Sequence, residues 1–97
     1  MTRTCYETGA DLPETMHEKA HFSSDAARTA WNNRRKNRGA ILYDLFMGYR
    51  YDRGVAKTLG LFSVMCALAA KWRAEDKAAG RRSHNEPAEA VSKVNAV

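Results

Sequence analysis

The sequence predicts a mostly α chain: an irregular N-terminal arm, a three-helix bundle and a flexible C-terminal tail. Three observations carry the prediction. Apolar residues recur at i, i+3/i+4 spacing in two segments, Ile41, Leu42, Leu45, Phe46, Tyr49 and Leu61, Met65, Leu68, Ala69, Trp72. A helix-start signal at Phe22-Ser23-Ser24-Asp25 precedes them. Residues 1–22 and 78–97, at either end, lack helical periodicity. A length of 97 residues fits one domain, here 1–80 with the arm as 1–23, and a tail over 81–97.

The arm carries turn signals at Thr8-Gly9-Ala10-Asp11 and Leu12-Pro13. Ser23 or Ser24 can cap the first helix, Asp25 favours its positive end, and Phe22 can fold back on Ala26 or Ala27. That helix is predicted over residues 25–37. Gly39 either ends it or is tolerated inside a longer helix, at about 1 kcal/mol against Ala. The second helix is predicted over 40–51 and is broken by Tyr51-Asp52-Arg53-Gly54. A short helix over 55–59 fits before Gly60, and the third main helix spans roughly 61–77. The simplest core packs the second and third helices together, closed by Trp31 and filled by Phe46, Met65 and Trp72.

A chain this short buries a modest share of its surface and needs a staple or self-association to be more than marginally stable. Cys5 and Cys66 are the only cysteines. Cys5 lies in a polar stretch and Cys66 in an apolar run, which favours free thiols over one long-range disulfide and a reducing, cytoplasmic setting. The polar beginning has no apolar signal-peptide core, and the apolar run over 59–70 is too short to span a bilayer, so no membrane partner is expected.

The net charge is +5, unevenly spread: −3 over residues 1–25, +6 over 26–57, +3 over 58–82 and −1 over 83–97. A localised positive field draws polyanions or an acidic protein face. Within it Arg28, Asn32 and Arg35 follow one helical line, with Arg34 and Arg38 beside it, Lys36 adjacent, and Asn33 and Asn37 interleaved. Arg and Lys contact phosphates, and Arg and Asn read base edges. A second cluster, Tyr49-Arg50-Tyr51-Asp52-Arg53 continued by Lys57, mixes aromatics with cations and suits base stacking or a protein hot spot. The bland alternatives are a solvated helix face for the first cluster, and a core Tyr49 with a local Asp52 ion pair for the second.

Cys5, His17 and His21, with Asp25 as a fourth candidate, use a zinc-compatible His-x3-His spacing. The set holds only one thiolate, so neither metal nor cofactor is expected. Catalysis is not expected either. The carboxylates are scattered, no phosphate loop or nucleophile elbow is present, and an apolar run raises the pKa of a thiol such as Cys66.

Cys5-Tyr6-Glu7-Thr8-Gly9-Ala10-Asp11-Leu12-Pro13, then Phe22-Ser23-Ser24-Asp25-Ala26-Ala27-Arg28, resembles small bacterial zinc-knuckle proteins with the pattern C-x2-C-G-x-x-L-P…[FY]-C-S-x-x-C-R leading into a basic helix. In that family four cysteines hold a structural zinc. Here Cys5 keeps the first ligand position, while Thr8, Ser23 and Ala27 occupy the others. The resemblance covers residues 5–35. It implies a degenerate, metal-free knuckle in the arm and an affinity to phage and prophage accessory proteins. The functional expectation is a small, non-catalytic, basic binding protein acting on DNA or RNA through Arg28, Asn32, Arg34, Arg35, Lys36, Arg38, Arg50, Arg53 and Lys57. The alternative is a phage-encoded inhibitor that binds an acidic protein surface of a host defence complex, such as a CRISPR effector. A homodimer formed through leftover apolar surface is the third possibility.

Overall fold

In a computed structural model, which describes residues 3–17 and 20–95, the Ser24 hydroxyl caps the first helix by accepting the Ala27 N–H at 3.1 Å. That helix, α1, runs unbroken through Asp25–Tyr51. The two helices expected on either side of Gly39 are therefore one. Arg38 on one side of the glycine and Tyr49 on the other both meet α3, so the tertiary contacts offset the glycine's small helix penalty.

Asp52 ends α1 and starts α2 (Arg53–Leu59): its N–H donates to Gly48 O at 2.8 Å, and its carbonyl accepts Ala56 N–H at 2.8 Å. Gly60, left-handed at φ 65°, turns the chain into α3 (Leu61–Ala78). This turn bends α2 against α3 by 58°. Among the described residues no single helix is long and apolar enough to cross a membrane; α2 and α3 pass that test only as a bent pair. Helices α1, α2 and α3 contact one another as a small three-helix bundle.

The C-terminal segment departs from a shapeless tail. Residues 81–86 run along the arm, where Arg82 N–H donates to Tyr6 O at 2.8 Å, and α4 follows over Pro87–Asn95. Pro87 has the fixed φ that suits a first helical position.

The arm is a knot of turns. Cys5 N–H donates to Ala10 O at 2.8 Å, Gly9 N–H to Cys5 O at 2.9 Å, and Leu12 N–H to Arg3 O at 2.8 Å, closing a loop around Tyr6, Glu7 and Thr8. Gly9 has φ 74°, and a Cβ there would stand 2.3 Å from Gly80 O, so no other residue fits. Cys5, Leu12 and Ala27 form the buried core of this end, with Met16 and Phe22 against it.

The core is thus not where the periodicity put it. Trp31 is buried against Tyr6 and Phe22 of the arm, at ring-centroid separations of 5.6 and 6.1 Å, and does not close a core between long helices. Phe46 is 52% exposed, while Met65 and Trp72 are half-buried. Both thiols are free and run against their local polarity: Cys5, in a polar stretch, is buried within the arm, and Cys66, in an apolar run, is left exposed by the described residues.

Candidate binding surface

The α1 stripe divides into structural and free cations. Arg34 forms a two-pronged ion pair with Glu7 of the arm, both contacts at 2.6 Å. These hydrogen bonds hold the Glu7 carboxyl below its ordinary pKa and raise that of Arg34. Arg38 reaches α3, donating to Asp76 at 2.8 Å and to Glu75 at 3.2 Å, with its guanidinium 5.4 Å from the Trp72 ring centre. Asp76 is buried and also accepts from Arg81 at 2.7 Å. Burial pushes its carboxyl pKa up, but hydrogen bonds from Arg38 and Arg81 outweigh that and hold it below the ordinary value. Arg28 is exposed and pairs with Asp25.

Arg35 and Lys36 remain open to solvent, together with Asn32, Asn33 and Asn37; Arg35 lies 5.7 Å from the Trp31 ring centre. Among the described residues the stripe therefore supplies two free cations instead of five. Its bases at Arg34 and Arg38 fasten the arm and the end of α3 to the helix.

The second cluster stays exposed. Arg50 stacks over Tyr51 at 5.2 Å and Arg53 over Tyr49 at 5.5 Å, while Lys57 is open. Tyr49 is half-buried, and Asp52 makes no ion pair among the described residues. Tyr49 joins Phe46 and Phe62 in an aromatic row between α1 and α3, at 6.5 and 5.7 Å. Along α1 the free Lys36 and Arg50 lie about 21 Å apart at the helical rise, so the two clusters are separate patches.

Residues outside both clusters complete the positive surface. Lys71, Arg73 and Lys77 on α3 are exposed and, among the described residues, unpaired with any acid. A groove of about 460 Å³ between α1, α3 and the C-terminal segment is lined by Arg35, Leu42, Trp72 and Arg73 among others. Buried Asn85 Oδ1 there accepts no hydrogen bond within the described residues. Sequence periodicity gave no sign of this groove, because the segment that walls it has none.

In the arm, Cys5 Sγ accepts the Ser23 N–H at 3.3 Å and the Ser23 hydroxyl at 3.5 Å. Burial raises the thiol pKa, but hydrogen bonds from Thr8 and Ser23 bring it down to about 6. His21, a candidate ligand in the sequence, stacks on Tyr6 at 4.5 Å. Among the described residues no three His, Cys, Asp or Glu side chains converge on a point that could hold a metal ion. No family model, curated protein or solved structure matches this chain.

Proposed function

We propose that this chain is a small, non-catalytic nucleic-acid-binding protein or regulatory accessory factor acting in the cytoplasm. One observation carries the reading. On α1, α2 and α3, Arg35, Lys36, Arg50, Arg53, Lys57, Lys71, Arg73 and Lys77 have no acidic partner among the described residues, against Asp44 and Asp52 as the acids left unpaired. Such an excess attracts a phosphate backbone, and Arg35, Arg73 and Trp72 line one groove that joins cations to an aromatic ring.

The test is a salt titration of binding to single-stranded DNA, duplex DNA and RNA. Affinity falls steeply with salt, and Arg35→Glu, Lys36→Glu and Arg73→Glu each weaken binding and reduce the salt slope by about 1. Arg34 and Arg38 are poor choices for this test because their loss loosens the fold. A flat salt response would overturn the reading.

A second reading, a phage-encoded inhibitor that docks on a host defence complex, draws on the exposed row of Phe46 and Phe62, 52% and 60% accessible. Recovery of one specific complex from host lysate after nuclease treatment favours it. We also read the arm as a knuckle that keeps its shape without zinc. Thr8 and Ser23 hydrogen-bond to Cys5, and Ala27 shares its core, so the positions aligned with the four ligands lie around one sulfur.

A further inference from the structure

We infer that the outward face of α1 pairs with the same face of a second copy of this chain, antiparallel about a two-fold axis at Met47. Tyr43, Met47 and Tyr51 stand at i, i+4 and i+8, one ridge of the helix, and are 64%, 36% and 69% exposed. Helix α3 lies on the other side, where Arg38 and Tyr49 meet it, so no other element among the described residues covers the ridge.

The size of the molecule argues for a second copy. Its accessible surface is 7526 Å², whereas a compact monomer of 10.9 kDa exposes about 5,600 Å². Its radius of gyration is 16.3 Å, against about 12.5 Å for a compact chain of this length. The excess of roughly 1,900 Å² is more than the ~800 Å² that each partner gives to a standard interface.

Charge fixes the register. Asp44 and Arg50 lie three residues to either side of Met47, both exposed and both without an opposite charge among the described residues. In an antiparallel pair centred on Met47, a residue n places before the axis faces the residue n places after it. Asp44 then faces Arg50 of the partner subunit, twice by symmetry, and Tyr43 faces Tyr51 of the partner subunit. A parallel pair would set Asp44 against its own copy. An anionic lipid surface or a nucleic acid would meet Asp44 unfavourably and gain nothing from the tyrosines' spacing.

Sedimentation equilibrium of the full chain tests this. The wild type is a dimer at micromolar to sub-millimolar concentration. Met47→Glu brings two carboxylates together at the axis and weakens the dimer about a hundredfold, and Asp44→Arg weakens it about tenfold, as expected for like charges brought together at an interface. Adding Arg50→Asp to Asp44→Arg restores wild-type dimerisation. All three positions are exposed, and unchanged helical circular dichroism confirms that each variant folds. A monomeric wild type overturns the inference, as does a dimer indifferent to Met47→Glu or a double variant no tighter than Asp44→Arg. A monomer that co-floats with phosphatidylglycerol vesicles, and loses this with Met47→Glu, overturns it in favour of a lipid surface.

Discussion

The two ends of α1 are held by different physics. At its N-terminal half, Arg34 and Arg38 grip Glu7 and Asp76, and Trp31 is enclosed by Tyr6 and Phe22. At its C-terminal half, α1 meets α2 and α3 through a thin seam in which Ala56 is the buried apolar side chain. Phe46, Val55, Leu59 and Phe62 stay more than half exposed there. One half is closed by polar links between residues far apart in the chain. The other is a helical hairpin whose apolar surface is largely on its outside. Burial is thereby unequal along a single helix: ion pairs and aromatic packing fasten the arm end, and the hinge end, where α2 turns back, leaves large apolar side chains exposed.

Substitutions at each end can break or sharpen that contrast. The largest effect comes from converting the arm to metal binding. On the knuckle reading, Thr8→Cys, Ser23→Cys and Ala27→Cys together surround Cys5 with thiols. The triple variant then gains several kcal/mol of zinc-dependent stability, since structural zinc contributes on the order of 10 kcal/mol in small domains. Equimolar zinc by elemental analysis and a zinc-dependent rise in Tm would bear this out; a zinc-free product would refute it.

Next is Asp76→Ala, which strands Arg38 and Arg81 and should cost about 4 kcal/mol, measured by urea unfolding. Trp31→Ala, which empties the aromatic cluster, should cost about 3 kcal/mol. A loss below about 1 kcal/mol in either would show that the arm is not the stabilising end.

Acid should weaken the same end. Glu7 and Asp76 both have folded pKa values below their ordinary ones. Their contribution is therefore complete above the ordinary carboxylate range, about pH 4, and is lost as pH falls below it. Melting temperature followed against pH should drop in that window for the wild type and drop less for Asp76→Asn. The smallest effect belongs to the hinge end. Phe62→Ser, at a site 60% exposed, should change stability by about 0.5 kcal/mol or less.

This contrast also explains which parts of the structure were legible in the sequence. The start of α1 and the span of α3 were, because they depend on neighbours, whereas α4 was not, since it lies in a stretch without periodicity. Ser24 caps as its type and position suggest, and α3 ends one residue beyond the periodic segment. The continuity of α1 through Gly39 was left open, since a glycine's fate depends on what its flanking turns touch. The basic stripe was legible as charge but not as surface. Helical spacing places Arg34, Arg35 and Arg38 together whether they face water or carboxylates, and the deciding acids lie 27 and 38 residues away. Cys5 and Cys66 misled for the same reason. Local polarity suggested which was covered, but the arm's long-range contacts decided it.

The close approach of Gly9 to Gly80 has a consequence for synthesis. The arm leaves the ribosome before the residues that complete it, from Asp76 through the Arg82 amide that bonds Tyr6. Residues 3–17 must therefore wait, unfinished, while α1 and α3 form behind them. The earlier segment depends on contacts from a later one, and a ribosome stalled before residue 80 would carry helices without their clasp.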